Sequence, residues 1–538
     1  MVTSIAILLM PAQAQTVDAS TLDGKVIVGY QGWFRCPGDG SPGNNWSHWS
    51  NGQPSASTLA IDAYPELSGM SKASLCAVPG MTVQGRQANL FSSYPKETAE
   101  THFQWMRSYG IDGALLQRFV SDIPWLRSEK DVVLQNLKAA AEKNGRVFAV
   151  EYDLSLDYRS ASEDEVLSKL KEDWIYLVNE IKLTSSSAYL RHKGKPVVSV
   201  WGLGFGDSNH VSKPALGRKI IDWFKNQAQV TVMGGVPGGW HTGGRSSSDD
   251  PGWPAVYEML DVVQPWTVGS FGNLAEADNW KSQVIQADMV KTKSNGQSYL
   301  PVIFPGFSWH NLMKNAPQNQ IPRNAGEFLW RQAFNARAAG AVAVKIAMFD
   351  EVNESTAIFK VASQRALAPD QGYWLTLDAD GKSLPSDYYL RLAYEINRVF
   401  SGRAANSSSI PARPGPAPSS DPPPAATCGI LLANSFLTVN QHLDSCDGRF
   451  QLWLQSDGNL VLYFLNQPLW SSGTVGRVPG KLIMQGDGNL VIYDLSGHPY
   501  WSSRSSGDIN SRLLMQNDGN AVIYKGATPK WASGSCCH

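Results

Sequence analysis

The sequence predicts a multidomain protein in which an α/β domain, a (β/α)8 or TIM barrel, is followed by an all-β domain. Three observations support this prediction. Eight short apolar runs alternate with amphipathic stretches within residues 24–403, a proline-rich segment follows at 404–427, and residues 428–538 repeat one motif three times. A chain of 538 residues is also too long for one ordinary compact domain.

The start of the chain, residues 1–14, has the pattern of an export signal. An apolar run at 5–10 is followed by the small-residue pattern Ala-Gln-Ala, which fits signal-peptidase cleavage after Ala14. We therefore expect a signal peptide, shortened at its start because basic residues are missing there, and a secreted, extracellular protein. The alternative is a mildly apolar terminus with no targeting role.

Composition excludes several classes of protein. Apolar residues make up 43% of the chain and charged residues 17%, which is enough for a core and excludes bulk disorder. The formal net charge is −1 and no basic block occurs, so nucleic acid is not an expected partner. No run of about 18 apolar residues occurs, so no membrane span is expected. The 19 Trp residues suit sugars, whose faces are C–H surfaces.

The six cysteines agree with export into an oxidising environment. Cys36 and Cys76 form the expected disulfide of the first domain, and free buried thiols are the alternative. The other four cysteines have three possible pairings; they are Cys428, Cys446, Cys536 and Cys537. No Cys or His residues have the spacing of a zinc site and no Gly-x-Gly-x-x-Gly follows the first strand, so we expect no metal and no cofactor.

The apolar runs are continuous, as in strands that are buried on both faces of a parallel sheet. They span 25–34, 112–119, 146–155, 195–204, 230–240, 261–269, 299–310 and 341–351. Helical patterns lie between most of them and after the last, for instance at 97–110, 163–181, 325–340 and 387–400. Eight such strands predict a (β/α)8 barrel, with a doubly wound open sheet as the alternative.

The segment 404–427 predicts a linker. Seven of its 24 residues are proline and none is aromatic, which favours an extended, semi-rigid chain of up to about 75 Å. It separates a barrel domain at 24–403 from an all-β domain at 428–538.

The active site of a (β/α)8 barrel lies at the carboxyl ends of its strands. Every predicted strand here ends in polar and aromatic residues, a combination that suits the hydroxyl edges and C–H faces of sugars. Seven of these residues are predicted to contact a substrate: Tyr30, Trp33, Asp153, His241, Trp309, His310 and Asp350. Any one of them can instead cap a helix or pack in the core.

Three carboxylates appear together where the eighth apolar run ends. Two of them, Glu351 and Glu354, are three residues apart, which places both side chains on one side of a turn. Glycoside hydrolysis needs one protonated and one ionised carboxyl group, and crowding with partial burial separates their pKa values. We therefore predict both glutamates to be catalytic; a solvated acidic turn that caps the last helix is the alternative.

The segment MFDEVNESTAIF, 348–359, resembles the active-site motif of glycoside hydrolase family 99, Phe-Asn-Glu-Trp-x-Glu-Gly-Thr. PVIFPGFSW at 301–309 is similar to that family's preceding strand, and VGYQGWF at 28–34 looks like the related family 71/99-like barrels. The resemblance implies a retaining endo-α-mannosidase. In it, Glu351 would act as base on the substrate's own 2-hydroxyl, giving an epoxide-like sugar intermediate, and Glu354 would be the general acid/base.

The segment departs from the family 99 motif at three positions. Asp350 stands in place of Asn, Val352 in place of Trp and Ser355 in place of Gly. The missing Trp removes a wall that shapes the substrate site, and the family 71 α-1,3-glucanases invert, so sugar, linkage and stereochemistry stay open. Asn353 also begins an N-glycosylation sequon, which we expect to be unused because a glycan there would block the site.

The last domain repeats Gln-x-Asp-x-Asn-x-Val-x-Tyr at 455–463, 485–493 and 516–524, and a Trp follows each copy. In a strand, this spacing places all five residues on one face and leaves alternate residues such as Leu460 and Leu462 for the core. The face offers amides, a carboxylate, a phenol and an apolar patch, which match the hydroxyls and C–H surface of a sugar.

This spacing resembles that of the bulb-type mannose-binding lectins, whose fold is a three-sided β-prism, and the likeness covers 428–538. It implies that fifteen residues bind mannose: Gln455, Asp457, Asn459, Val461, Tyr463, Gln485, Asp487, Asn489, Val491, Tyr493, Gln516, Asp518, Asn520, Val522 and Tyr524. The alternative is a prism kept only for stability. Single sites would bind weakly, and three would gain strength through avidity.

Together these features predict a secreted glycoside hydrolase that acts on an α-linked glycan, most favourably an α-mannan, and carries a mannose-binding lectin module. The expected partners are mannose-containing glycans or polysaccharide, and the sequence indicates no oligomeric state. One alternative is a non-catalytic mannose-binding lectin with an inactive barrel scaffold. Another is a barrel hydrolase whose substrate is unrelated to mannose, with the lectin as its anchor.

Overall fold

The computed structural model describes residues 16–155, 162–210, 213–314, 316–411, 429–445, 449–464, 467–509, 511–526 and 528–536. The chain divides into two compact units, Met1–Pro418 and Ser419–His538. The predicted signal peptide, most of the predicted linker and three cysteines lie outside the described residues; these cysteines are Cys428, Cys446 and Cys537. Within the described ranges, no helix is long and apolar enough to cross a membrane.

The first unit is built on a parallel sheet. The strands of the first unit, in chain order, are β1 Val26–Tyr30, β2 Leu75–Val83, β3 Arg86–Phe91, β4 Gly113–Phe119, β5 Val147–Asp153, β6 Arg191–His192, β7 Lys195–Trp201, β8 Thr231–Val236, β9 Val262–Pro265, β10 Ser298–Tyr299, β11 Val302–Ile303 and β12 Val344–Ile346. Of these, β2, β3 and β6 pair antiparallel. Each of the eight predicted apolar runs contains a parallel strand, because runs with no polar alternation are buried on both faces, as in β1, β5 and β8.

The parallel strands follow one another around a ring. β1 pairs with β4 and with β12, and the order then runs through β5, β7, β8 and β9. β10 pairs with β9 and β11 pairs with β12, and only Leu300 and Pro301 separate β10 from β11. This sheet fits a TIM-like barrel, as predicted, whereas the order of a doubly wound sheet would reverse at its middle.

Helices connect most of the barrel strands. They are α1 Lys96–Ser108, α2 Ile123–Asn144, α3 Glu163–Asn179, α4 Pro214–Asn226, α5 Trp253–Tyr257, α6 Leu274–Trp280, α7 Gln286–Ser294, α8 His310–Met313, α9 Glu327–Ala338 and α10 Tyr388–Phe400. The four predicted helices correspond to α1, α3, α9 and α10. α3 begins where the side chains of Ser162 and Glu165 each accept the other's backbone N–H, a capping box.

An antiparallel hairpin of β2 and β3 lies outside the ring. The disulfide Cys36–Cys76 joins β2 to the segment that follows β1, which confirms the bridge predicted from the sequence.

Among its described residues, the second unit has antiparallel strands in three sheets of four. The strands are β13 Ile430–Leu431, β14 Phe436–Thr438, β15 His442–Asp444, β16 Phe450–Leu454, β17 Leu460–Phe464, β18 Gln467–Ser471, β19 Pro479–Met484, β20 Leu490–Asp494, β21 Pro499–Ser502, β22 Arg512–Met515, β23 Ala521–Lys525 and β24 Thr528–Ala532. Each repeat contributes three strands to one sheet, β16–β18, β19–β21 or β22–β24, and β15, β14 or β13 is the fourth.

The three repeats share one core. The second strand of each repeat begins with a fully buried residue, and these three residues lie in a single apolar cluster; they are Leu460, Leu490 and Ala521. The repeat tryptophans contact one another edge to face, with ring centroids 5.7–6.1 Å apart; they are Trp470, Trp501 and Trp531. The second unit is therefore all-β, and its arrangement as a β-prism stays a prediction.

Candidate functional site

A buried ion pair joins two strands of the barrel. Lys345 Nζ on β12 lies 2.5 Å from Glu151 Oε1 on β5, and both side chains are completely buried. Gln117, Ser199 and Gln264 donate to the two oxygens of Glu151 over 2.7–3.0 Å. A buried carboxylate with this many donors is fully satisfied, so the network fixes β4, β5, β7, β9 and β12 relative to one another.

Glu351 follows β12 at the carboxyl end of the barrel and is buried. Gln31 Nε2 donates to its Oε2 over 3.0 Å. Burial raises the pKa of Glu351 well above its usual range, and the nearby charges of Glu354, Asp350 and Asp153 raise it further. The sequence-predicted pair is thus brought together, with electrostatic coupling between its members.

Glu354 lies on the same turn and is half-buried. Burial raises its pKa to about 7. The turn is fixed from both sides, because Ser308 N–H donates to the Glu354 carbonyl over 2.9 Å and Asn353 Nδ2 donates to the carbonyls of His48 and Ala60. The Asn353 amide is therefore occupied and buried, which agrees with an unused glycosylation sequon.

Asp350 does not have the geometry of a substrate contact. It is fully buried, and its two oxygens accept the backbone N–H groups of Gln31 and Gly32 over 2.8 and 2.9 Å. Burial raises its pKa to about 6, against the lowering effect of these two bonds. The side chain holds the segment after β1 against the Glu351 turn, and so it positions Gln31 rather than reaching a sugar.

Tyr30, also predicted to contact substrate, lies in the core. Its side chain is 1% exposed, its hydroxyl hydrogen-bonds His102 Nδ1 on α1 over 2.8 Å, and its ring stacks on Phe349. Successive residues of a strand face opposite sides, and the Tyr30 ring packs toward the helix layer instead of the barrel mouth. This prediction was wrong for that reason.

The remaining predicted residues lie at several places around the carboxyl end of the barrel. Asp153 is buried, contributes to the field at Glu351, and has its pKa raised to about 7 by burial. Trp33 is half-buried and stacks between His48 and Phe119, with centroid distances of 4.0 and 5.6 Å. Trp33 thus forms part of an aromatic wall beside the site.

His241, Trp309 and His310 each have a local partner. His241 Nε2 lies 2.7 Å from Asp288 Oδ1 on α7, and the side chain is 18% exposed. Trp309 packs edge to face on Phe307. The backbone N–H of His310 donates to buried Asp62 over 2.8 Å, and its ring contacts Tyr373. Each of these three side chains is half-buried at the barrel end.

An aromatic cluster at the ends of β7 and β9 was not among the predicted substrate contacts. Trp201 packs against Trp266, Phe205 and His210, with ring centroids 5.1–5.3 Å apart. Both tryptophans stand at strand ends, which is the signal that identifies them. Lys345 had no such signal, because a lysine within an apolar run gives no indication of its buried partner.

In the second unit, each repeat motif forms one compact group. The Gln side chain donates to the Tyr hydroxyl eight residues later, over 2.8 Å in the first two repeats and 3.1 Å in the third. The Asn backbone N–H donates to the Asp carboxylate over 3.0 Å in all three. The Asn Oδ1 atom accepts from a serine hydroxyl over 3.0–3.1 Å, which fixes the orientation of the Asn side chain.

The motif is not a continuous strand, and the expectation of one strand face was wrong. Residues 455–459 form a turn between β16 and β17, closed by the Gln455 N–H donating to the Asn459 carbonyl, and only the Val and Tyr positions lie on β17. The turn follows from Asp-Gly, since Gly458 has φ +88°. Asp457 is exposed at the turn, whereas Val461 is 4% exposed.

A solved structure is similar in fold to most of this chain. The endo-α-mannosidase of glycoside hydrolase family 99 from Bacteroides thetaiotaomicron is 19% identical, with a TM-score of 0.51, over 71% of this chain and 100% of the mannosidase. A likeness at this identity concerns the fold alone. No protein-family model matches the chain, and no curated protein matches it.

Mannose-binding lectins are similar to a shorter part of the chain. A monomeric monocot lectin from Gastrodia elata is 38% identical over 20% of this chain and 98% of the lectin, with a TM-score of 0.19. The mannose-specific agglutinin of snowdrop, Galanthus nivalis, is 38% identical over 20% of this chain and 99% of the agglutinin, with a TM-score of 0.17. The barrel part of the resemblance stated from the sequence is thus found in a solved structure of similar fold.

Proposed function

We propose that this protein is a glycoside hydrolase that acts on an α-linked glycan, with an α-mannan as the favoured substrate, and that it carries a mannose-binding module. The observation that carries the proposal is the pair formed by buried Glu351 and half-buried Glu354 on the turn after β12. Glycosidases need two carboxyl groups in different protonation states, and the raised pKa values of these neighbouring groups suit that need.

Burial raises the pKa of both carboxyl groups, and the charge of Glu354 raises the pKa of Glu351 further. Gln31 donates to Glu351 and so stabilises its ionised form. We assign Glu354 as the acid that protonates the leaving oxygen and Glu351 as the base. The assignment agrees with the roles implied by the family 99 resemblance.

In the retaining route, Glu351 takes the proton of the substrate's 2-hydroxyl as that oxygen attacks the anomeric carbon. Glu354 gives its proton to the leaving oxygen, and an epoxide-like sugar forms. Water then opens this ring, loses a proton to Glu354, and Glu351 returns the proton to the 2-oxygen. Each carboxyl group ends in its starting state. In an inverting route, one carboxylate would activate water directly, and the anomer first released distinguishes the two.

The second unit is proposed to bind mannose through the three repeat motifs. The support is the retention of all fifteen motif residues together with the same internal hydrogen bonds in each copy. These bonds orient the Asn Nδ2 donors and the Asp carboxylates, a set that matches vicinal hydroxyls. Export is proposed as well, because the disulfide Cys36–Cys76 suits an oxidising compartment.

The test is product release from panels of α-mannans and α-glucans by wild type and Glu354→Gln. Sugar released by wild type and lost in the variant supports the hydrolase and names its substrate class. Release of nothing from any glycan, with mannan still bound, would instead indicate the alternative function, a mannose-binding lectin whose barrel is a scaffold.

A further inference from the structure

A cavity lies among loops that follow the barrel strands, and its lining includes neither Glu351 nor Glu354. It has a volume of about 360 Å³ and lies between the segment after β8, the segment after β9 and helix α6 with its continuation. The residues that give it chemical character are Arg245, Phe271, Glu276, Asn279, Trp280 and Gln283. None of these residues belongs to the predicted site.

The backbone around this cavity is irregular on both sides. Arg245 and Ser246 both have left-handed backbone, with φ of 47° and 66°, and the Gly206 N–H donating to the Ser246 carbonyl over 2.8 Å fixes the turn. On the other side, Lys281–Ile285 is a π-helical segment between α6 and α7. Residues in such conformations cost free energy and are concentrated at functional sites.

The side chains of the cavity suit a neutral sugar. Trp280 and Phe271 are 8% and 7% exposed, and their ring centroids lie 5.2 Å apart. Arg245 lies over the Trp280 ring at 5.8 Å, and its Nη2 donates to Gln283 Oε1 over 3.4 Å. One Arg and one Glu balance in charge, and planar amide, guanidinium and carboxylate groups bind pairs of hydroxyls beside an apolar ring.

The cavity is close to the end of β9. A Cβ on Gly238, in the segment after β8, would lie 2.6 Å from Trp280 Cη2 and 3.5 Å from the Trp266 carbonyl oxygen. Trp266 in turn packs on Trp201 in the aromatic cluster described above. The loops that follow barrel strands share one face of the barrel, so this cavity and the Glu351 turn lie on the same face.

We infer that this cavity, called here the Arg245 pocket, is an auxiliary binding site for a neutral hexose residue of the glycan, remote from the bond that is cleaved. The inference rests on the proposed function for its substrate class. Binding at a remote site raises kcat/KM for long chains and leaves short chains unaffected, because only long chains reach it.

The test compares Arg245→Ala/Gln283→Ala with a matched control, Arg218→Ala/Gln286→Ala. All four side chains are exposed, and the control pair lies outside the Arg245 pocket. For hydrolysis of linear α-mannooligosaccharides, kcat/KM for long chains is expected to fall about tenfold in the first variant, with that for short chains unchanged. Equal values for the variant and the control at every chain length would overturn the inference.

A binding measurement separates the Arg245 pocket from the hydrolase. The full chain carries Asp457→Ala, Asp487→Ala and Asp518→Ala to silence the second unit, and α-mannopentaose is titrated calorimetrically. Binding weakened by Arg245→Ala/Gln283→Ala supports the pocket even if no glycan is hydrolysed. If the variant hydrolyses glycan with unchanged pentaose binding and unchanged chain-length preference, the proposed hydrolase function is retained and the Arg245 pocket is not a glycan-binding site. Unchanged thermal unfolding in both double variants excludes loss of folding as the cause.

Discussion

In the proposed reaction, the protonation state of Glu354 decides whether the leaving oxygen receives a proton. At neutral pH, a carboxyl group with a pKa of about 7 is protonated in about half of the molecules, whereas an ordinary exposed glutamate is almost entirely ionised. Its partner, Glu351, accepts one hydrogen bond from Gln31. This difference in hydrogen-bonding surroundings supports the separate roles proposed for the two glutamates.

We expect hydrolysis by wild type to decline as pH rises through about 7, because the Glu354 carboxyl loses the proton that the leaving oxygen requires. The measurement is kcat/KM for a soluble α-mannooligosaccharide between pH 4 and 9. A kcat/KM that keeps increasing up to pH 9 would show that Glu354 is not the acid.

A substrate that needs no acid should bypass Glu354. For an α-mannosyl fluoride, Glu354→Gln is expected to retain most of the wild-type bond-cleavage rate, since fluoride departs without a proton, whereas kcat for an oligosaccharide falls by about 100-fold or more. Glu351→Gln is the comparison, and it should lose activity on both substrates. Equal loss on both substrates by the two variants would contradict the assignment of separate roles.

Asp153 should make the first unit less stable as pH rises. Its pKa is raised from 3.8 to about 7 in the folded state, so the folded protein binds more protons than the unfolded chain between these values. The free energy of unfolding therefore falls as pH rises from about 4 to about 7 and is level above. Asp153→Asn should reduce this fall by about 2–4 kcal/mol in urea unfolding of the first unit. The exposed Asp164→Asn is the control and should follow wild type.

Strand-end position is informative about which residues lie near a barrel site, but it does not indicate which way each side chain faces. It located Glu351 and Glu354 on one turn, since three-residue spacing and an adjacent strand end are both visible in the sequence. It could not separate Tyr30 from Gln31, because a shift of one residue along a strand reverses the face. Asp350 was mistaken for a substrate contact because its backbone partners come from a segment more than 300 residues away.

At the scale of elements, the barrel depends on a polar layer within its ring of strands. Both side chains of the Lys345–Glu151 pair are completely buried, and loss of either partner leaves a buried charge without compensation. The apolar runs predicted the strands, but they gave no information on which interior positions are polar. That arrangement arises from contacts between strands far apart in sequence, such as β5 and β12.

We expect Lys345→Met to destabilise the first unit by about 3–5 kcal/mol, because it isolates the Glu151 carboxylate. The double variant Lys345→Met/Glu151→Gln should recover part of this loss. Lys291→Met is the matched control, since Lys291 pairs with Glu258 at the surface over 2.8 Å, and its cost should stay below about 1 kcal/mol. Urea unfolding measures all three variants. Similar losses of unfolding free energy for Lys345→Met and Lys291→Met would show that the buried pair stabilises the protein no more than a surface pair does.

The repeat motif shows what spacing can and cannot predict about an element. Period-two spacing correctly assigned Leu460 and Leu462 to the core, because both lie on β17. It failed for the first half of the motif, where Asp-Gly bends the chain into a turn before β17 begins. The Gln455–Tyr463 hydrogen bond nevertheless joins both ends of the motif, so the five residues stay together by a different geometry.

For the whole molecule, the consequence of having two units is a gain in local concentration. The sequence joins them by a proline-rich segment, and a linked module converts a second binding step into an intramolecular one. If the motifs bind mannose as proposed, three of them on one unit would increase this effect on a surface dense in mannose. Such a gain applies only to substrates that engage both units, which distinguishes polymeric from short glycans.

Silencing the second unit in the full chain is therefore expected to impair action on polymers selectively. The triple variant Asp457→Asn/Asp487→Asn/Asp518→Asn should raise KM for insoluble α-mannan about tenfold or more, because each Asp carboxylate accepts from its motif and is exposed for a ligand. Its kcat, and both constants for a soluble trisaccharide, should match wild type. Asp508→Asn, which alters surface ion pairs to Lys525 and Lys530 outside the motifs, is the control. A parallel loss on the trisaccharide would mean that the motifs support the barrel itself, since a short soluble substrate gains nothing from anchoring.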